Sequence, residues 1–427
     1  MFKKYKEKFI GDREFYANLI RLIIPMIVQQ GITSFVSLLD NVMVGRLGTE
    51  SMSGVAIVNQ LLFVFNLTIF GGLAGASIFG AQFYGKGDHK GVRYALRFKL
   101  IFSVLMAVIA IVALLFFNNP LISLFLTESE SGGDLVLTLS EAKNYLFVML
   151  IGLIPFSFSQ SYSSTLRETG ETVSPMTASI IAIVTNFVLN YILIFGSFGA
   201  PRLGVVGAAI ATVLAQGISA LLGVWYILRS YPELRFRPAQ LKETTRHAVT
   251  HMFWAGLSMG LMSAIYNLGS VALQSSINAL GSAYIAAQTA ARRLAELYFI
   301  PGGALGIGVA TFSSQNLGAG KRSRIWQSVK AALVIYFVWW VFIMAFTFLC
   351  GEAAIRGVTG SDDEIIIANA LLYLKISVPI IPPMAVLVIL RNMLQGIQHT
   401  IEPLLASALE LIGKVIFAVW LVPVWGY

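Results

Sequence analysis

The chain has 427 residues, 57% of them hydrophobic and only 12% charged, about half the roughly 25% charged residues usual in soluble domains. With a mean hydropathy of +0.77 it carries more apolar surface than a soluble fold can bury, so the bilayer must be its main solvent. The net charge of +9 does not indicate nucleic acid, because the basic residues form short clusters between apolar segments rather than one continuous face.

The N-terminus reads Phe2-Lys3-Lys4-Tyr5-Lys6 and stays polar to about Glu14. Without a small-residue cleavage site, 1–15 is expected to be a cytoplasmic leader rather than a signal peptide. Segments long enough to cross about 30 Å of hydrocarbon as helices are predicted near 16–40, 52–81, 95–118, 142–165, 174–196 and 204–228, six helices in a first lobe spanning 16–228. A polar linker, 229–249, is taken as cytoplasmic. Five further spans, near 250–276, 284–312, 328–350, 366–394 and 401–424, make a second lobe over 250–427. The expected class is an all-α integral membrane protein with about eleven transmembrane helices.

Cytoplasmic loops carry an excess of Lys and Arg. With the N-terminus inside, the inner segments hold 22 of the 30 basic residues, and the outer loops hold only Arg46, Lys143, Arg202 and Arg356. The outer loops are instead acidic, at Glu128, Glu130 and Asp134 and at Asp362, Asp363 and Glu364. Six spans in the first lobe leave both lobes in the same orientation.

Halves of one orientation invite a search for a repeat, and one runs at an offset of 233. Gly48 matches Gly281, Gly75 matches Gly308, Gln82 matches Gln315, Gly85 matches Gly318 and Gly87 matches Gly320. Further on the offset becomes 228, where Pro155 matches Pro383, Leu166 matches Leu394, Thr172 matches Thr400 and Pro175 matches Pro403. Apolar helices aligned by chance would match Leu and Val, not Gln, Gly and Pro. The change of five predicts a shorter loop between the third and fourth helices of the second half. The sixth helix, opening at Gly204, maps to position 432 and beyond, whereas the sequence stops at Tyr427. The twelfth helix is therefore expected to be missing, through truncation, a frameshift or a true eleven-helix design.

Three strings punctuate the first half: Asp40-Asn41-Val42-Met43-Val44-Gly45-Arg46-Leu47-Gly48, Gly80-Ala81-Gln82-Phe83-Tyr84-Gly85-Lys86-Gly87-Asp88, and Gly204 to Thr212. Gln315-Asn316-Leu317-Gly318-Ala319-Gly320 repeats the second of them. With these motifs the chain resembles the multidrug and toxic compound extrusion (MATE) family along almost its whole length. The resemblance implies two pseudo-symmetric six-helix bundles forming a V around a central cleft. It further implies export of bulky organic cations, coupled to inward-moving protons or sodium ions, by a monomer in the bacterial cytoplasmic membrane.

Asp40 is the acidic residue on which coupling is expected to rest. A carboxylate among apolar neighbours has its charged form disfavoured, so it can exchange a proton, or serve as counter-charge to a sodium ion or an organic cation. The plainer alternative is that it ends the first helix at the outer interface. Asn186 and Asn190, spaced i, i+4, share one face of the fifth helix and can supply an oxygen cage, and Thr212 aligns as a further donor. Alternatively these side chains are hydrogen-bonding glue between helices. The second of the two asparagine positions is a carboxylate in some family members, and Asn190 here weakens the sodium case. Another branch of the family uses carboxylates in the seventh and tenth helices, where this chain has none, so coupling is placed in the first lobe.

Polar side chains inside spans are candidates to line the cleft: Gln29, Asn59, Gln60, Gln160, Tyr162, Tyr266, Gln288, Arg292 and Glu296. Arg292 and Glu296 are spaced for an ion pair. Outside Arg292 and Arg293 the spans read as nearly free of Arg and Lys, which disfavours the second function considered, a flippase for a lipid-linked precursor needing a basic cavity. An inactive truncated carrier is a third reading. No phosphate-cradling GxxxxGK[ST] string, HExxH motif or cysteine cluster occurs, so neither ATP drive nor an enzyme nor a cofactor is expected.

Overall fold

A computed structural model describes residues 13–125, 134–234, 246–278, 282–359 and 363–425. The leader up to residue 12, the middle of the linker, Gly281, Glu128, Glu130 and Asp362 lie outside the described residues. Eleven helices are long and apolar enough to cross a membrane: α1 (Arg13–Gly45), α2 (Thr49–Gly85), α3 (His89–Phe116), α4 (Leu135–Glu168), α5 (Val173–Phe195), α6 (Gly204–Ser230), α7 (Arg246–Asn278), α8 (Ser282–Gly318), α9 (Arg322–Thr359), α10 (Glu364–Gly396) and α11, which starts as Ile401–Ile416 and continues through a π-helical turn at Phe417–Leu421. Most run past the predicted spans because polar residues at their ends continue the helix beyond the hydrocarbon.

The chain forms two compact units, one of Val28–Gly260 and the other of the residues up to Ile27 together with Leu261–Tyr427. α1 and α7 thus each contribute their two parts to different units. In the first unit, Val58, Leu62, Phe65 and Ile69 of α2 recur at helical spacing and pack with Leu146, Met149, Leu150 and Leu153 of α4. Phe63, Val64 and Phe70 of α2 remain exposed, as a lipid-facing stripe requires. In the other unit, Phe15, Leu19, Leu22 and Ile23 of α1 pack with Leu305, Val309 and Phe312 of α8, the rings of Phe15 and Phe312 meeting edge to face at 5.3 Å.

The sequence repeat is matched helix for helix. α2 and α8 both have 37 residues, and both ends are related by the offset of 233. Each is followed by a glycine in the left-handed region, Gly87 at φ 78° and Gly320 at φ 72°, a conformation side-chain-bearing residues rarely adopt. Thr172 and Thr400 stand at the N-cap positions of α5 and α11. The acidic outer residues Asp134 and Asp363 are N-caps as well, accepting from the backbone of Val136 and Ile365 at 2.9 Å. The connection is shorter where expected: four residues separate α9 from α10, whereas the corresponding stretch between Phe116 and Leu135 is longer.

Other glycines permit close helix crossings. A Cβ at Gly71 of α2 would lie 2.7 Å from the Gly260 Cα and 2.9 Å from its nitrogen in α7, and backbone on both sides cannot yield. One at Gly303 of α8 would have nothing within 4 Å. Gly71→Ala is therefore expected to destabilise the protein by about 1–3 kcal/mol, and Gly303→Ala to stabilise it by about 0.5–1 kcal/mol through lost unfolded-chain entropy. Thermal unfolding in detergent reads both signs, and equal shifts for the two would contradict the packing described.

Candidate functional site

Five residues before its C-terminal end, α1 places Asp40 half-buried against α5. Asn190 Nδ2 donates to Asp40 Oδ1 at 2.7 Å. Asn190 and Asn186, one turn apart, are 2% and 7% exposed. Thr212 of α6 stands on the far side of Asn186, with its hydroxyl also donating to the Ala208 carbonyl at 3.0 Å. The four residues singled out from sequence therefore converge on one spot, all within the unit Val28–Gly260. Tyr145 of α4, 6% exposed, is close enough for its hydroxyl to feel the Asp40 charge. No spacing rule links α4 to Asp40, so sequence reading had no signal for it.

The Asn186 amide has two settings. In one, its nitrogen donates to Thr212 Oγ1 at 3.2 Å and its oxygen accepts from Asn190 Nδ2 at 3.2 Å. That oxygen then faces the Asp40 carboxylate oxygens at 3.0 and 3.2 Å, acceptor against acceptor. In the other setting the amide nitrogen donates to both carboxylate oxygens, and its oxygen accepts from Thr212. The nitrogen is then left beside the Asn190 nitrogen at 3.2 Å, donor against donor. The second setting is the better satisfied, because the first opposes the Asn186 oxygen to two carboxylate oxygens at once. The Asn190 Oδ1 is buried without a hydrogen-bond partner among the described residues.

The cleft candidates are dispersed. Gln29 donates to Ser179 Oγ at 2.6 Å, tying α1 to α5. Asn59 and Gln60 are exposed on α2 and Gln160 is half-buried on α4. Tyr162 is a core residue, packed with Leu96, Leu166 and Ile227. In the other unit, Gln288 is 3% exposed and its Oε1 has no partner among the described residues. Arg292 donates from Nη1 to Gln274 Oε1 at 3.1 Å. Among the described residues the Arg292–Glu296 ion pair expected from their spacing does not form.

The expectation that spans hold little Arg or Lys beyond Arg292 and Arg293 is corrected by the structure. Lys99 of α3 is fully buried and pairs with Glu168 of α4, donating also to Thr165 Oγ1 at 3.1 Å, while Glu168 accepts from Ser77. In α11, Glu410 pairs with Lys414 at 3.0 Å and with Arg391 of α10 at 3.1 Å. Glu410 and Lys414 are spaced i, i+4 in an apolar run, a signal available in the sequence.

The MatE family model matches residues 25–192 and 258–420. The chain is 26% identical over 368 residues, 86% of its length, to the "Probable multidrug resistance protein NorM" of Thermotoga maritima, and covers 76% of that protein. It is 25% identical over 332 residues to the "Probable multidrug resistance protein YoeA" of Bacillus subtilis, covering 76% of this chain and 69% of that one. A crystal structure described as "MATE in the bent conformation" superposes with a TM-score of 0.82 at 21% identity, covering 95% of this chain and 88% of the other. A second, of the "outward-facing conformation of a multidrug resistance MATE family transporter", superposes with a TM-score of 0.81 at 22% identity over 94% of this chain and 88% of that one.

Removing the Asn190 amide takes away a charge-assisted bond. Asn190→Ala is expected to lower stability by about 1.5–3 kcal/mol, against less than about 0.5 kcal/mol for Asn59→Ala on an exposed helix face. Melting temperatures in detergent distinguish the two, and an unshifted Asn190→Ala would remove the Asp40 bond from consideration.

Proposed function

The chain belongs to the MatE family, and on that premise we propose that it is a multidrug efflux antiporter that exports organic cations in exchange for inward-moving protons or sodium ions bound at Asp40. The observation that carries the reading is that neutral groups hold Asp40: Asn190 Nδ2 donates to its Oδ1 at 2.7 Å, and Asn186, with its amide set to satisfy its neighbours, donates to both carboxylate oxygens at 3.0 and 3.2 Å. A proton neutralises the carboxylate, and the Asn186 amide can then turn its oxygen to accept from it. A sodium ion finds there one carboxylate and the neutral oxygens of Asn186, Asn190 and Thr212, the hard oxygen set such an ion prefers.

Transport then follows from linkage. Ion and substrate favour different states of an inward-open to outward-open equilibrium, so binding of one discharges the other. A carboxylate compensated by neutral donors suits this exchange, since among the described residues no cation pairs with Asp40 to compete with the arriving one. The excess of basic residues in the segments read as inner supports a cytoplasmic N-terminus in a bacterial cytoplasmic membrane. Names given to relatives in Thermotoga maritima and Bacillus subtilis support drugs as the cargo.

The test is uptake of ethidium into everted vesicles energised by a proton or a sodium gradient. The native chain is expected to transport under one of them, which names the ion. Asp40→Asn, which keeps shape but loses the charge, is expected to abolish gradient-driven uptake while leaving ethidium binding by the purified protein intact. Full transport with unchanged coupling by Asp40→Asn would overturn the assignment.

A further inference from the structure

The unit that resumes at Leu261 holds an ionic cluster that cation export does not use. Lys414 stands 13 residues into α11 and Glu410 nine, about 20 and 14 Å along the helix at 1.5 Å per residue. At that depth an ionisable side chain is costly and marks a functional site by default. Glu410 is shared: Oε1 accepts from Lys414 at 3.0 Å and Oε2 from Arg391 at 3.1 Å. One carboxylate between two cations leaves a positive charge over. Arg292 adds another cation, held by the neutral amide of Gln274 at 3.1 Å. The remaining acid near this group, Glu296, is exposed.

Unspent donors accompany that charge. The Arg391 side chain is 11% exposed, and its Nε–H is buried without an acceptor among the described residues, a desolvation cost that a ligand oxygen would remove. Beyond Glu410, Lys414 makes only long contacts at 3.4 Å, to the Tyr266 carbonyl and Ser270 Oγ, and lies 3.7 Å from the centre of the Tyr266 ring. Tyr266 also feels the charges of Glu410, Arg292 and Arg391, so these groups are neighbours. An aromatic face, a planar guanidinium and an ammonium group in one place suit an oxyanion attached to an apolar body.

We propose that Arg391, Lys414, Arg292 and Tyr266 form a recognition site for an anionic group, a carboxylate or phosphate, on an amphiphilic molecule. Glu410 acts there as an internal competitor, occupying the two cations until the ligand's oxyanion takes its place beside them. The inference depends on the transport reading only in that the bound molecule is cargo; the binding itself stands apart from it.

The experiment measures binding without transport. Full-length protein in phosphatidylcholine nanodiscs is titrated with carboxyfluorescein by fluorescence anisotropy, with ethidium in parallel. The native chain is expected to bind carboxyfluorescein, and Lys414→Gln and Arg292→Gln each to weaken it about tenfold or more with ethidium binding unchanged. Lys414→Arg is expected to retain it. Glu410→Gln is expected to tighten it severalfold, the opposite of what a purely structural triad predicts. Failure of the native chain to bind carboxyfluorescein overturns the proposal, as does equal weakening by Glu410→Gln and Lys414→Gln. Should Lys414→Gln fail to fold, an Arg292→Gln protein that binds like the native chain overturns it equally. Displacement of the dye by added phosphatidylglycerol identifies a lipid headgroup as occupant, and undisturbed binding identifies a free organic anion. Asp40-dependent ethidium efflux stands or falls independently of all these outcomes.

Discussion

A charge inside a bilayer needs a partner, and most of what distinguishes this chain from a plain helical bundle follows from how it meets that demand. Hydrocarbon supplies no hydrogen bonds and little dielectric screening, so every ionisable group within a span must be compensated by the protein or by something it carries. Two solutions are visible in the unit Val28–Gly260. Lys99 and Glu168 compensate each other, with Ser77 and Thr165 taking up further bonding capacity. Among the described residues Asp40 has no opposite charge beside it; its partners are the amides of Asn190 and Asn186.

These solutions have different consequences. A buried pair with both charges satisfied costs several kcal/mol to break, which suits a fixed link between α3 and α4. A carboxylate held by neutral donors keeps its negative charge uncompensated, which is what the proposed coupling role requires. The small-residue contacts of α2 with α7, such as Gly71 on Gly260, let backbones approach closely without the hydrophobic driving force that water would supply. Rigid packing and exchangeable charge are thus built from different residue types at different places along the same helices.

Much of this was legible in the sequence because it depends on local or periodic features. Eleven spans follow from apolar run length, and the duplication follows from glycines, prolines and threonines whose roles are conformational: Gly87 and Gly320 at positive φ, Thr172 and Thr400 at N-cap positions. Asn186 and Asn190 share a face by spacing alone, and only the MATE resemblance linked them to Asp40 and Thr212. Contacts set by helix packing were not legible. Tyr145 of α4 lies near enough to Asp40 to feel its charge, Lys99 meets Glu168 across 69 positions, and Tyr162, expected in a cleft, fills a core. Arg292 turns to Gln274 rather than one turn along to Glu296, because a tertiary acceptor at 3.1 Å outweighs a helix-surface pair contributing about 0.2–0.5 kcal/mol.

The sign of the charge left over in each site bears on what it can take. Around Asp40 the surplus is one negative charge held by neutral amides, which a proton or a cation would offset. Around Glu410 two cations, Arg391 and Lys414, share one half-buried carboxylate, with Arg292 held by a neutral amide in the same unit, and an anion would offset the charge left over. On the proposed readings each site selects against the ligand of the other by charge alone. In a carrier that must bind and release repeatedly, the uncompensated unit of charge is what ties affinity to cargo. A site left neutral by its own residues would have no electrostatic reason to fill, and one left with several unpaired charges would not release.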